Sequence, residues 1–492
     1  MHARFEPIPP TEPLAASLQE AHRAPGDPAS RFFVALLGFL CFLPYPSFTV
    51  GNRSALQLGN ILSIFMCLPL LAVTWRKKSY HLSLLLLAPV CISVLKVAVT
   101  GDGDLALSLK SIPLRAMTWL TLLATQYYAP IYALELLMGI ATATLLHVAV
   151  GLWQLYCFTN NDFPFPELYV NVSFLSVQDY AKIIATYIQR PFGIFPEPSA
   201  MSSSLAPFIV IWLAELGGLL RLKGRQPTRG QHILFASAAS GAILLIIISR
   251  SGHTFVTLFA VAILAAMWLT RCRANLRNYL VILCVCCIVL PVVFYFGAGA
   301  MNDRLGGKSD VGNSSWEERS SSLIVGYKMM VNNGPATLIF GIGPSLCAPA
   351  MFGALRLDAV WSVLLNYVYE TGVIGFAAVL WVAFHMARVW KKSRFNLVFF
   401  AISCVWFIGI LLTTSYEQLL PLWIVMGWLV EWQDIYEPVA GESRTQPSVK
   451  AAINGSAPTA VRLPALAPRP AMNWQMPDRG PRPSSRRLWG EP

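Results

Sequence analysis

Charge is scarce in this chain. Only 13% of its 492 residues are Asp, Glu, Lys or Arg, against 55% hydrophobic, about half the charged share of an ordinary soluble domain. A water-facing surface cannot be built from that. Cysteine is present but unpatterned: Cys41, Cys67, Cys91, Cys284, Cys286, Cys287 and Cys404 sit inside apolar runs, without a His partner at metal-ligand spacing. Such cysteines read as packing residues rather than a disulfide framework. The chain has no H-E-x-x-H and no G-x-x-x-x-G-K-[ST], which argues against a metalloprotease and an ATP-driven machine. Residues 1–31 are polar and Pro-rich and lack the long apolar stretch of a cleavable signal peptide, so a disordered cytoplasmic lead-in is expected.

What is present is a succession of apolar runs near the length of a bilayer span, with a mean hydropathy of +0.55. They predict an all-α, polytopic integral membrane protein with about twelve transmembrane helices. The spans are expected at 32–50, 55–75, 82–99, 114–130, 131–158, 201–220, 233–248, 253–270, 279–298, 362–387, 396–415 and 417–432, making 32–432 the transmembrane domain. The Lys and Arg behind the net charge of +12 sit in the C-terminal tail and in short clusters between apolar runs: Arg76 to Lys78, Arg221 to Arg229, Arg271 to Arg277 and Arg388 to Arg394. Each cluster follows an even-numbered span, the positive-inside pattern. Both termini then lie in the cytoplasm, and two long loops, about 159–200 and 299–361, lie on the outer face. The adjoining spans 114–130 and 131–158, joined at Pro130, must both exist for the later clusters to fall on one side. The segment 433–492, rich in Pro, Ser, Ala and Arg, is expected to be a disordered cytoplasmic tail.

Arginine placed where it is costly is the chemical signal. A guanidinium at mid-bilayer costs roughly 2.5–3.5 kcal/mol on insertion scales, so one held at an apolar boundary calls for a partner. Arg250 occupies a minimal outer turn, Ser249-Arg250-Ser251-Gly252-His253, beside the N-terminus of an inward-running span. That segment alone fits either a bound anion or an arginine snorkelling to the headgroups. Arg190 opens Arg190-Pro191-Phe192-Gly193-Ile194-Phe195-Pro196-Glu197-Pro198-Ser199, a shaped loop feeding a span that Ser199 or Ser202 is placed to cap. Glu197 is placed to orient Arg190, bind a sugar hydroxyl or act as a base, and a plain loop ion pair fits equally. Arg319 follows a capping-box pattern at Ser315, on an outer amphipathic helix with Trp316, Leu323, Tyr327 and Met330 on one stripe. It is either a cavity group or a rim charge, and Lys328 ranks below it. Gly341-Ile342-Gly343-Pro344 reads as a turn, and Glu370 as a packed, hydrogen-bonded glutamate.

Four segments resemble the bacterial O-antigen polymerase and O-antigen ligase superfamily. They are Arg190-Pro191-Phe192-Gly193-Ile194-Phe195 with Glu197-Pro198-Ser199; Ser249-Arg250-Ser251-Gly252; Arg319 with Asn333-Gly334-Pro335 and Gly341-Ile342-Gly343; and Glu370-Thr371-Gly372-Val373-Ile374-Gly375. The resemblance covers roughly residues 180–385. It implies a GT-C-like membrane glycosyltransferase with two large periplasmic loops in the bacterial inner membrane. Its partner would be an undecaprenyl-pyrophosphate-linked oligosaccharide, and no cofactor or metal is implied. Arg190, Arg250, Arg319 and Glu197 would be catalytic, and His253, Ser199, Trp316, Tyr327 and Lys328 would contact substrate. Trp361-Ser362 stands where the family commonly has "H-N", the histidine taken as catalytic in ligases, so exopolysaccharide polymerase is implied before ligase. A chain-length-regulating copolymerase is a further possible partner. A lipid-linked-sugar flippase or other secondary transporter is the remaining alternative. Against it, the loop after the sixth span is short and the largest loops are expected on the outer face.

Overall fold

The computed structural model describes residues 27–45, 47–49, 55–70, 81–160, 162, 164, 190–249, parts of 257–265, 310–347, 349–350, 362–393, 396–412 and 419–437. The described chain is almost entirely helical. In order it forms α1 (Pro28–Cys41), a two-strand hairpin of β1 (Ser47–Thr49) and β2 (Ala55–Gln57), α2 (Leu58–Cys67), α3 (His81–Thr100), α4 (Leu105–Thr159), α5 (Pro198–Leu216) and α6 (Arg229–Ile248). After a gap follow α7 (Asp310–Asn332), α8 (Pro335–Phe340), α9 (Val363–Lys392), α10 (Leu397–Leu412), α11 (Leu420–Val430) and α12 (Trp432–Ile435).

Among the described residues, α4, α5, α6 and α9 are long and apolar enough to cross a membrane. Apolar stretches within α1, α2, α3, α10 and α11 are shorter. The span expected at 279–298 and most of that at 253–270 lie outside the described residues, so the described chain gives no count of twelve. The outward face of α9 carries Val373, Phe376, Leu380, Trp381 and Phe384, all exposed. A contiguous apolar face of that kind is a liability in water and suits lipid. Thr228 and Gln231 form a capping box at the start of α6, and Asp27 caps α1 by accepting from the Ala29 amide at 3.3 Å, so both helices begin where local chemistry satisfies their free amides.

The expected pair of spans around Pro130 is one continuous run of 55 residues with a break at Tyr132 (φ −128°, ψ 37°). Its halves pack on different partners. In the C-terminal half, Gly139 lies against Ala35 and His147 bonds Phe42 O, so this half runs parallel to α1. In the N-terminal half, the Ser63 and Thr121 hydroxyls meet at 2.9 Å and the Tyr128 hydroxyl donates to Met66 O at 3.2 Å, so that half runs parallel to α2. The β1–β2 hairpin turns α2 back on α1, and Gly59 abuts Cys41. The two halves of α4 are therefore antiparallel, and the reversal falls two residues after Pro130.

The contacts also sort the ends. At one end, Glu135 lies 3.8 Å from Arg31 Nε and 3.3 Å from Arg225 Nη1, and Arg221 pairs with Glu437 at 3.3 Å. There the Lys223 amide donates to Ile435 O at 2.8 Å and the Glu437 amide to Arg221 O at 2.9 Å. The lead-in, the 221–229 cluster and the start of the tail, three segments assigned to one side by their charges, thus meet in space at a basic end. α1 begins at Pro28 and α12 continues past 432, so helix overruns both expected boundaries of the transmembrane domain slightly.

Candidate functional site

The opposite end carries two shaped polar assemblies. In the first, the loop at Arg190 is anchored by two side chains of α4. Gln154, fully buried, accepts from the Phe192 and Gly193 amides at 2.9 Å each and donates through Nε2 to Gly193 O at 2.7 Å. His147 Nδ1 accepts from the Ile194 amide at 3.0 Å, which makes Nε2 the protonated nitrogen that donates to Phe42 O at 2.6 Å. The imidazole also stacks on Phe195, with ring centroids 4.4 Å apart. Gly193 has φ +61°, and a Cβ there would lie 2.8 Å from His147 Nδ1; conformation and space both require glycine. Pro191 to Pro196 are buried, while Arg190 and Glu197 are half-buried at the two ends of the loop.

Glu197 is the N-cap residue of α5, with Pro198 at the first helical position. The Ser199 hydroxyl donates to the Glu197 carboxylate. Neither serine caps the helix as expected: Ser199 turns to Glu197 and Ser202 bonds back to Pro198 O at 2.8 Å, because a serine inside the first turn reaches the preceding carbonyl more easily than the free amides. Gln154→Leu should loosen this loop by removing the acceptor that two amides share, at about 1–3 kcal/mol. Hydrogen exchange at residues 192–194 would rise in the variant; unchanged protection would mean that the loop is held elsewhere.

The second assembly is centred on Glu370. Its carboxylate pairs with Arg115, both side chains being almost wholly buried, and accepts from the Ser345 amide at 2.9 Å. Its carbonyl accepts from the Ser93 hydroxyl at 2.7 Å and the Gly343 amide at 3.2 Å, and the Ile342 amide donates to Tyr369 O at 2.9 Å. Gly341 (φ +85°) lies so close to the Glu370 carbonyl that any side chain would collide with it. The expected turn at Gly341-Ile342-Gly343-Pro344, together with Ser345, is thus riveted to α9 where that helix breaks at Gly372 (φ 67°, ψ −156°). Beside the ion pair an apolar cavity of about 90 Å³ is lined by Leu86, Trp119, Tyr367, Trp406 and Trp423 as well as Arg115.

Arg190 and Glu197 stand at the two ends of one loop, with Ser199 in the first turn of α5. Arg250 and His253 lie outside the described residues, as do the side chains of Arg319 and Trp316, although both positions fall on α7. On α7, Met330 is buried and Leu323 packs in the same cluster, whereas Tyr327 is exposed together with Lys328. The expected single stripe therefore does not hold for Tyr327; Leu323, Val325, Met329 and Met330 form the packed face instead. Sequence reading missed Arg115, His147 and Gln154. The last two sit seven residues apart on one face of an apolar run, a spacing that marks a polar seam. Among the described residues no group of three or more His, Cys, Asp or Glu is placed to hold a metal ion.

Comparison with known proteins gives no match to any family model, curated protein or solved structure.

Proposed function

We propose that this protein is a polysaccharide polymerase that joins undecaprenyl-pyrophosphate-linked oligosaccharide units on the periplasmic face of the bacterial inner membrane. The observation that carries the reading is the Arg190 loop, held by Gln154 and His147, with Arg190 at one end and Glu197, the N-cap of α5, at the other. Fixed cationic groups and free helix amides in a low-dielectric setting suit a pyrophosphate that gains charge as it leaves.

In the transfer, an acceptor hydroxyl attacks the anomeric carbon of the donor glycan, the bond from that carbon to the pyrophosphate oxygen breaks, and undecaprenyl pyrophosphate departs. Arg190, Arg250 and Arg319 are assigned to the departing charge, where the planar fork of guanidinium fits phosphate oxygens. Glu197, oriented by the Ser199 hydroxyl, is the first candidate to take the acceptor proton, and His253 the second. Trp316, Tyr327 and Lys328 are assigned to the sugar chains.

Deletion of the gene followed by extraction of lipid-linked sugars tests the reading. Single repeat units exposed on the outer face are expected. Full-length polymer retained on its lipid would instead indicate a ligase, and single units trapped on the inner face a flippase.

A further inference from the structure

Away from the loops, at the basic end, two cations share one anion. Arg31 Nε and Arg225 Nη1 both approach Glu135 Oε1, at 3.8 and 3.3 Å. The Glu135 side chain is mostly buried, whereas those of Arg31 and Arg225 are 38% and 52% exposed. Among the described residues neither guanidinium has another side-chain partner, and each carries five N–H donors of which Glu135 takes few.

Helix direction adds to the imbalance. The pairs Ala35 with Gly139, Val148 with Gly241, and Leu245 with Gly151 show that α1, the second half of α4 and α6 run parallel. The N-termini of α1 and α6 therefore open on the same side as Arg31 and Arg225, and their dipoles favour negative charge there. Gln231 in the first turn of α6 meets Met138 Sδ at 3.0 Å, three residues beyond Glu135, and Arg229 starts that turn. Around the pair, Arg229 and the α1 cap Asp27 lie on the two helix starts, while Arg221 is paired with Glu437 and the Lys223 ammonium donates to Gln433 O. The Glu135 carboxylate is thus shared between two half-exposed guanidiniums.

The rim of this cluster is apolar. Phe32 is 61% exposed and Ile233 60%, with Phe33 and Ile131 also exposed. A soluble anion would satisfy the arginines and leave these side chains uncovered. A lipid satisfies both.

We propose that Arg31 and Arg225 bind the phosphodiester of an anionic phospholipid in the leaflet at the basic end, with its acyl chains covering Phe32, Phe33, Ile131 and Ile233. The site requires a membrane but no catalytic role for the Arg190 loop, so loss of either proposal leaves the other standing.

Glu135 competes with the lipid for the same donors, which gives the test opposite signs at neighbouring residues. Full-length protein in a neutral detergent would be titrated with phosphatidylglycerol, phosphatidylcholine or inorganic phosphate, and the thermal midpoint followed. Phosphatidylglycerol should raise the midpoint and phosphatidylcholine should not. Arg31→Gln and Arg225→Gln should each weaken the apparent affinity about fivefold, the worth of one basic residue at an anionic surface. Glu135→Gln should strengthen it, and this variant carries the test if an arginine variant does not fold. Equal responses to the two lipids, an equal response to inorganic phosphate, or a Glu135→Gln protein that binds no tighter would each overturn the assignment.

Discussion

Glu370→Ala should cost about 3–5 kcal/mol of stability, the scale for removing one member of a buried ion pair and stranding the other. Arg115 would be left charged beside an apolar cavity, and the Ser345 amide would lose its acceptor. The effect should spread, because Glu370 is where α3 through Ser93, α4 through Arg115 and the 341–345 turn meet α9. Thermal unfolding of the purified variant in detergent, or its yield as monodisperse protein, measures the loss. The double variant Arg115→Met, Glu370→Met should recover much of it, since replacing both charges by apolar groups removes the stranded ion. A single variant as stable as the parent would show that the pair carries no weight in the fold.

Under the proposed polymerase activity, Arg190→Ala, Arg250→Ala and Arg319→Ala should each reduce polymer formation by about 10²–10³-fold, the effect of removing one preorganised stabiliser of transition-state charge, with protein level near normal. Arg190→Lys should recover only part of the activity at that position, because a lysine keeps the charge and loses the fork. Polymer length on gels and accumulated lipid-linked single units read the outcome together. A variant making parental amounts of polymer would remove its arginine from the site.

These two effects were unequally legible in the sequence. Arg190 stands in a Pro- and Gly-punctuated loop, and punctuation of that kind is local, so a window of ten residues reveals a shaped segment. The Arg115–Glu370 pair spans 255 positions, and no periodicity connects two residues so far apart. The meeting of Arg31, Arg225 and Glu437 at one end of the fold, from three distant segments, matches the grouping that the charge pattern predicts for those segments. The chain reversal was placed at Pro130 and falls at Tyr132, since proline disturbs the helix around it without dictating which neighbour absorbs the turn. Tyr327 was misjudged because a hydrophobic stripe drawn on α7 does not say which side of it the rest of the protein will occupy; the turn at Ile342 and Leu346 decides that, by packing on Met330.

The reversal at Tyr132 bears on how the chain is built and mapped. Two antiparallel helical halves joined without an intervening loop offer neither a protease nor a reporter a loop at the reversal between Pro130 and Tyr132. A tag placed at Pro130 would prise Glu135 away from Arg31 and Arg225, so tagging at that position would report a disturbed protein and not its native sidedness. During synthesis each half meets a partner already made, α2 for the first half and α1 for the second.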